Sequence, residues 1–400
     1  MSNFNCDKFG QIEKNLEDLF VPKYYPGYVL SIYENGIESY FSKKGYDDIY
    51  NKIEYKKNSI FRIYSMTKPI VSTAVMQLIE NNIISLNDEV SKYIPEWKYL
   101  KFNNSKNKNI MTIKNLLTHS SGLTYGFQGQ SEIDNEYKVR NINSIVDSEL
   151  TSQEIINELS EIPLEFAPGD FYNYSISIDI LGFIIERVSN LSLEEYLTKN
   201  IFNKLNMHDT AFTLKEKNED RFAKCYRWNE KDKTYQLHHE KPDPNIKVNS
   251  YKDVPKSFSG GAGLISTISD YQQFGSAILD AKKGRENPIL KKDTADLMMK
   301  NHLSENFFID EFSKYPLNGE EYYKGIGFGL GGSICVNEDL GLSNSKKGDF
   351  GWGGAASTSF YISEKYDYSL VFLTQVLESE DTRRLNSTIK KLVNNCIDVQ

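Results

Sequence analysis

The spacing of apolar residues changes period several times along the chain, and each change marks an element. Residues 8–20 place Phe9, Ile12, Leu16, Leu19 and Phe20 on one side, the pattern of an amphipathic helix. Two short apolar runs follow, Tyr28–Tyr33 and Ile37–Ser42, separated by Glu34-Asn35-Gly36. Asn-Gly between two such runs predicts a β-hairpin. Ile60–Ile63 predicts another short strand, and from Ser65 the pattern turns helical. Ile70, Ala74, Met76, Leu78 and Ile79 are dense enough for a helix buried on most sides. Residues 75–255 read as mostly helical with long loops, the clearest helices being Leu150–Leu159, Ile178–Val188 and Leu193–Ile201. Lys101–Lys108 and Asn218–Asp232 read as polar, exposed stretches. The last third predicts strands at Gly325–Ile334, Ser357–Ile362 and Tyr368–Thr374, then a closing helix at Asp381–Asp398.

Strand-forming segments therefore sit at both ends of the chain with a helical block between them. The economical arrangement is a mixed α/β (α+β) fold in which one antiparallel sheet, built from both termini, is flanked by helices. Residues 1–74 and 256–400 would form this α/β lobe, and 75–255 an inserted, mainly helical lobe. A cleft between the two is the expected place for a site.

Composition narrows the function classes. With 39% hydrophobic and 13% aromatic residues, the chain can bury a sizeable core, which excludes a solvated, disordered protein. A net charge of -8 argues against a nucleic-acid partner. No apolar run reaches the ~18 residues of a membrane span, so no membrane partner is expected. The opening residues lack a basic n-region and an apolar h-region and read as mature protein. Cys6, Cys225, Cys335 and Cys396 are scattered without a C-x-x-C pair, so neither a zinc site nor a disulfide framework is expected. A reduced, cytoplasmic setting is the simpler reading.

Three segments carry candidate chemistry. In FRIYSMTKPI, Phe61–Ile70, Ser65 and Lys68 are spaced i, i+3 and share a helix face, so the amine can reach the hydroxyl. Pro69 is tolerated only near a first turn, which places the helix start close to Ser65. A nucleophile there sits at free backbone N–H groups and the positive end of the helix dipole. S-x-x-K also occurs at Ser105/Lys108, Ser343/Lys346 and Ser387/Lys390, in segments that look polar and exposed; the setting singles out Ser65. In PGDFYNYSISIDILG, Pro168–Gly182, Tyr174 lies in a loop just before a helix, where a phenol can relay a proton. In GDFGWGGAASTSFYI, Gly348–Ile362, glycines 351, 353 and 354 permit close backbone approach, and the Ala355 N–H could face a substrate oxygen.

These segments resemble the serine β-lactamase and penicillin-binding-protein superfamily, in its class C and carboxylesterase branch. FRIYSMTKPI resembles the nucleophile segment. MTIKNLLTHSSGL (Met111–Leu123), KLNMHDTAF (Lys204–Phe212) and SGGAGLISTISDYQQF (Ser259–Phe274) resemble further landmarks in family order. WGGAASTSF (Trp352–Phe360) stands where many members carry K-T-G, and W-G-G is the esterase form. The resemblance implies a β-lactamase/transpeptidase-like fold with Ser65 as acylated nucleophile, Lys68 as its activating amine and Tyr174 as proton-transfer partner. It implies an oxyanion hole from the Ser65 and Ala355 N–H groups, with Trp352, Gly353, Gly354 and Ile176 at substrate-binding positions. Lysine and tyrosine remain alternatives for the principal base, and the two can titrate as one coupled unit.

One departure points to the substrate. The Y-x-N motif reads Tyr174-Ser175-Ile176 here, and an apolar Ile176 cannot donate to a substrate amide. With W-G-G in place of K-T-G, and no E-x-x-L-N, this argues against β-lactam or peptidoglycan substrates. The expectation is a serine hydrolase of small ester substrates, working through an acyl-enzyme on Ser65 with no metal or organic cofactor. An acyltransferase on the same site is the alternative. A β-lactamase or D-alanyl carboxypeptidase, and an inactive binding homologue, rank below it.

Other signals are discounted. His119 reads as a turn-stabilising hydrogen bonder rather than a base, because Ser65, Lys68 and Tyr174 already supply the proton chemistry. His238-His239 are adjacent and diverge, a poor metal pair. GIGFGLGG (Gly325–Gly332) has no following helix and is not a nucleotide loop. No G-x-S-x-G occurs, which speaks against an α/β-hydrolase. Tyr125 and Phe127 either line an acyl pocket or pack an exposed loop.

Overall fold

The computed structural model describes residues 4–19, 25–102, 110–229, 231–238, 250–303, 307–377 and 382–397. Its centre is an eight-stranded antiparallel sheet. From one edge to the other the strands are Ile53–Glu54, Ile37–Asp48, Gly27–Glu34, Tyr368–Leu373, Ser359–Ser363, Phe350–Gly353, Ser333–Cys335 and Ile326–Phe328. The N-terminal hairpin joins the C-terminal strands where Val29 pairs with Leu373 and Glu34 with Tyr368. The sheet is thus built from both ends of the chain, as the sequence predicts. Its hairpin turn is Asn35-Gly36, both with positive φ (52° and 72°), the geometry for which Asn-Gly is suited.

Alternation along the central strands divides the core into two layers. Tyr28, Leu30, Ile32, Tyr361, Leu370 and Phe372 face the helices Phe9–Leu19 and Thr382–Asn395, meeting Ile12, Leu16, Leu385, Ile389 and Val393. Val29, Phe360, Ile362, Val371 and Leu373 face the opposite way, into the main core. There they meet Tyr271, Phe274 and Ile278 of the helix Ile268–Lys283. A strand covered on both faces has no solvent side, and all eight residues of Gly27–Glu34 are buried. The main core continues unbroken into the helix Thr67–Glu80 and the helices of the middle region.

Several element readings need correction. Gly325–Ile334 is not one strand but a tight hairpin, Ile326–Phe328 and Ser333–Cys335, turning through Gly331 at φ 92°. Ser72 leaves room only for glycine in this turn: a Cβ at Gly331 would stand 2.0 Å from its Oγ. Asn218–Asp232 is not simply exposed, because Asn218 and Tyr226 are buried. The strand Tyr226–Asn229 pairs with Thr234–Leu237 and, in parallel, with Val376–Leu377. The short strand after residue 60 is Phe61–Arg62, and it pairs with Ile265–Ser266 rather than joining the large sheet. The other elements fall within a few residues of expectation: Ser152–Ser160, Ser177–Ser189, Ser359–Ser363, Tyr368–Leu373 and Thr382–Asn395. Leu193–Leu197 runs on into a π turn at Thr198–Phe202. Phe20, His239, Asp381, Asp398 and most of the 101–108 loop lie outside the described residues. Among the described residues no helix is long and apolar enough to cross a membrane.

Candidate active site

Ser65 lies where the local sequence predicts, at the head of a helix. A 3₁₀ turn over Tyr64–Met66 leads into the helix Thr67–Glu80, with Pro69 in its first turn. The segment is tied down on both sides. Ile63 N–H donates to the Leu264 carbonyl at 3.2 Å, Tyr271 Oη–H to the Met66 carbonyl at 2.7 Å, and Leu264 N–H to Thr67 Oγ1 at 3.1 Å. Tyr64, immediately before the serine, is held at φ 41°, a conformation that a bulky residue adopts only when its surroundings impose it.

The three predicted proton-handling groups converge on one oxygen. Tyr174 Oη–H donates to Ser65 Oγ at 2.7 Å, and Lys68 Nζ donates to the same Oγ at 3.3 Å. The ammonium also lies 4.5 Å from the centre of the Tyr174 ring. Lys68 is only 1% exposed, so each of its donors needs a partner. The remaining two go to Tyr125 Oη at 3.0 Å and the Gly261 carbonyl at 2.8 Å. Such a set has the makings of nucleophilic chemistry: with one of these two neighbours unprotonated, the Ser65 proton has an acceptor at bonding distance.

Behind Lys68 lies a second layer that local sequence patterns did not reveal. Asp179, in the helix Ser177–Ser189, accepts from Ser259 Oγ at 2.5 Å, from Gly261 N–H at 3.0 Å and, more distantly, from Tyr125 Oη at 3.5 Å. Burial pushes the Asp179 carboxyl above its usual range, while the Lys68 charge and these hydrogen bonds pull the other way. Burial, with Asp179 adding to it, raises the Tyr125 phenol well above its ordinary value. Tyr125 is therefore a neutral bridge between ammonium and carboxylate. The signal for Asp179 was there to read: it is the only charged residue in the run from Ser175 to Ile185. A lone carboxylate in an apolar helix needs a buried partner.

Of the pocket candidates, Trp352 reaches the site and Phe127 stands at its edge. The Trp352 ring centre lies 5.6 Å from that of Tyr174, and its Nε1–H points to Tyr174 Oη at 3.4 Å. Phe328 stands edge-on to Trp352 at 5.3 Å, and an exposed Phe127 stacks on Tyr125 at 4.6 Å. No cation stands at residue 352, where the K-T-G form would carry one. Gly353 ends the strand Phe350–Gly353, and Gly354 passes so close to the nucleophile segment that a Cβ would stand 2.4 Å from the Ile63 carbonyl. Ala355 follows in an exposed turn, and its N–H meets no acceptor among the described residues. Ile176 is different. It is 0% exposed and its backbone N–H donates to the Thr124 carbonyl, so it presents no surface to a substrate.

The discounted signals also find places. Lys390 donates to Ser345, not to Ser387, whose hydroxyl bonds the Leu342 carbonyl. His119 makes no bond to Ser65 or Lys68; its Nδ1 accepts from the Ser175 backbone.

A family model described as Beta-lactamase matches residues 14–394. The chain belongs to the β-lactamase family. Among curated relatives it is 26% identical to Esterase EstB of Burkholderia gladioli, over 80% of this chain and 78% of that one. It is likewise 26% identical to Acyltransferase calJ of Penicillium decumbens, over 85% and 81%. Among solved structures, EstCE1, described as a hydrolase with promiscuous acyltransferase activity, covers 97% of this chain and 98% of its own. The TM-score is 0.83 at 23% identity. A penicillin-binding protein homologue from Pyrococcus abyssi shares the fold at a TM-score of 0.68. The β-lactamase/transpeptidase-like fold expected from the sequence is the fold of this family member.

Proposed function

We propose that this protein is a serine hydrolase of carboxylesterase type, cleaving small, uncharged esters through an acyl-enzyme on Ser65. The observation that carries the reading is the convergence of Lys68 Nζ and Tyr174 Oη on Ser65 Oγ, at 3.3 and 2.7 Å. Ser65 Oγ attacks the ester carbonyl carbon in the form of the enzyme where Lys68 is a neutral amine or Tyr174 a phenolate, and its proton passes to that unprotonated group. The resulting oxyanion is received by the Ser65 and Ala355 N–H groups. The same proton then goes to the departing alcohol as the C–O bond breaks. Water repeats the sequence on the acyl-serine, releasing a carboxylic acid and restoring Ser65. No metal or organic cofactor enters these steps.

The substrate class follows from what lines the entrance. Trp352, Gly353 and Gly354 border the nucleophile, and Trp352 sets an aromatic ring beside that of Tyr174. With no cation at residue 352 to take a carboxylate, and a buried Ile176 that offers a substrate amide nothing, neutral esters fit better than β-lactams. Transfer to an alcohol or amine acceptor is the second reading, and it is favoured by the relative named as an acyltransferase. Both use the same acyl-enzyme and differ only in what accepts the acyl group.

The test is intact-mass labelling with a fluorophosphonate beside hydrolysis of p-nitrophenyl acetate and butyrate, comparing wild type with Ser65→Ala. The reading expects one label and ester turnover in wild type, and neither in Ser65→Ala. A chromogenic cephalosporin should remain intact. Turnover that rises with added alcohol would favour transfer. Cephalosporin hydrolysis would overturn the ester reading, and a folded wild type that takes no label would leave an inactive binding homologue.

A further inference from the structure

Tyr174 lies in an irregular segment between the turn at Gly169 and the helix Ser177–Ser189, with no strand ladder or helix of its own to fix it. A phenol that transfers a proton must nevertheless be held within a fraction of an ångström. Both of its neighbours in the chain hang on one residue, His119. Asn173 N–H donates to the His119 carbonyl at 2.8 Å, and Ser175 N–H donates to His119 Nδ1 at 3.2 Å. The imidazole also lies against the phenol ring, with centres 4.9 Å apart. His119 itself is held at φ 52°, a left-handed conformation in which asparagine and histidine are enriched.

The hydrogen bonds define the tautomer. To accept from Ser175 N–H, Nδ1 must carry a lone pair. The Ser175 hydroxyl lies 3.1 Å from the same nitrogen, with the Ser177 and Ser121 hydroxyls following at 2.8 Å each. Leu123 N–H donates to Ser121 Oγ at 3.1 Å, and donation running from Ser121 through Ser177 and Ser175 to Nδ1 is compatible with the lone pair that Ser175 N–H requires there. The imidazole proton is then on Nε2, which has no hydrogen-bond partner among the described residues. The ring is boxed by Tyr172 and Phe328, at 6.0 and 5.5 Å, besides Tyr174. The residue is 0% exposed, and burial, with the Lys68 charge adding to it, pushes its pKa well below the usual value. A second proton on Nδ1 would oppose the Ser175 N–H directly.

We propose that His119 is a positioning residue for Tyr174, acting as a neutral, Nε2-protonated imidazole whose Nδ1 fixes the backbone that carries the phenol. The inference rests on the reading of Tyr174 as the proton-transfer partner of Ser65. A residue that merely fills space would support the fold equally well with any side chain of similar size. A positioning residue is sensitive to where its acceptor atom lies. The amide oxygen of asparagine falls close to the place of Nδ1, and asparagine tolerates the left-handed backbone. The oxygen of glutamine lies one bond further out, near the place of Nε2, and cannot reach Ser175 N–H.

The experiment compares His119→Asn, His119→Gln and His119→Ala with wild type, Tyr174→Phe and the double variant His119→Ala/Tyr174→Phe. kcat and KM are measured on p-nitrophenyl butyrate, normalised to protein shown to be folded by near-ultraviolet circular dichroism. His119→Gln and His119→Ala should lower kcat about 10- to 100-fold with KM within about 3-fold, while His119→Asn stays within about 5-fold of wild type. The double variant should be no slower than Tyr174→Phe. Wild-type kcat in folded His119→Gln or His119→Ala would overturn the proposal. So would equal loss in Asn and Gln variants, or a further full loss in the double variant. Nitrogen-15 histidine spectra of the wild-type protein test it without any variant: Nε2–H with bare Nδ1 is expected, and Nδ1–H would refute it. If Tyr174→Phe keeps full activity, the Tyr174 reading fails and this inference with it. If Tyr174→Phe collapses while His119→Gln does not, only the inference fails.

Discussion

Gly261→Ala tests whether the layer behind Lys68 governs catalysis. Gly261 serves Lys68 twice: its carbonyl accepts from Nζ at 2.8 Å, and its N–H holds Asp179 Oδ1 at 3.0 Å. Its φ is not positive, so alanine escapes the left-handed penalty there and the damaging effect is steric. The added Cβ would stand 2.3 Å from Asp179 Oδ2 and 2.8 Å from Tyr125 Oη. A carbon–oxygen contact needs about 3.3 Å, so something must move by roughly 1 Å. Asp179 cannot move freely, because Ser259 Oγ pins its other oxygen at 2.5 Å. Overpacking of this kind costs about 1–3 kcal/mol of stability. A displacement of about 1 Å in a reacting group lowers the rate on the order of 100-fold. The assay is kcat and KM on p-nitrophenyl butyrate beside urea unfolding. The control is Gly10→Ala in the helix Phe9–Leu19, where a Cβ meets nothing within 4 Å. That control should be neutral or gain about 0.5–1 kcal/mol. If Gly261→Ala keeps wild-type kcat per folded molecule, Asp179 and Gly261 do not hold Lys68 in its working position, and the reasoning from these distances is wrong.

Three further outcomes are expected. Burial raises the Asp349 carboxyl to about 6, so its stabilising contribution is complete below the unfolded value near 3.8 and is lost as pH rises through 6. Asp349→Asn should therefore gain about 3 kcal/mol over wild type in urea unfolding at pH 8 and almost nothing at pH 3.5; an equal gain at both would refute the assignment. Ile176→Asn places an amide at a position with no exposure and should cost about 2–4 kcal/mol without conferring cephalosporin turnover, read by urea unfolding and a chromogenic cephalosporin. Trp352→Phe keeps an aromatic ring beside Tyr174 but removes the indole N–H at 3.4 Å, and should lower kcat on p-nitrophenyl butyrate about 3- to 10-fold; an unchanged kcat would show the ring to be the whole contribution.

What was legible in the sequence is what short-range physics dictates. Asn35-Gly36 specified a hairpin because a tight turn of that hand needs two positive φ angles. Pro69 specified the helix start because proline lacks the N–H that later turns require, and the first turn lies there. Ser65 and Lys68 could be paired for the same local reason. The contacts between segments were not legible from spacing. Tyr174 bonds Ser65 across 109 positions and Gly261 bonds Lys68 across 193, and nothing in either local pattern names the other. Family resemblance supplied a role for Tyr174 but none for Asp179, whose partners lie on a loop 80 residues further along. The glycine at the missed turn has the same origin: Ser72, on a distant helix, leaves no room for a side chain at Gly331. The missed hairpin at Tyr226–Leu237 was hidden by the charged residues of its own turn.

The polar groups of the site form one continuous chain, and their burial explains why the sequence landmarks occur together. Asp179, Tyr125 and Lys68 are almost fully buried, whereas Ser65 at the end of the chain is partly exposed. A half-satisfied buried network is worse than none, so each member needs the others in place. Asp179 comes from the segment after Tyr174, Tyr125 from the loop after His119, Ser259 and Gly261 from the segment before Ile265–Ser266, and Lys68 from the nucleophile helix. Removing any one leaves a neighbour with an unmet donor or charge in a dry interior, at a cost of several kcal/mol. The segments around Ser65 are therefore a set of mutually dependent partners, and of these polar groups only the last, Ser65, is partly exposed.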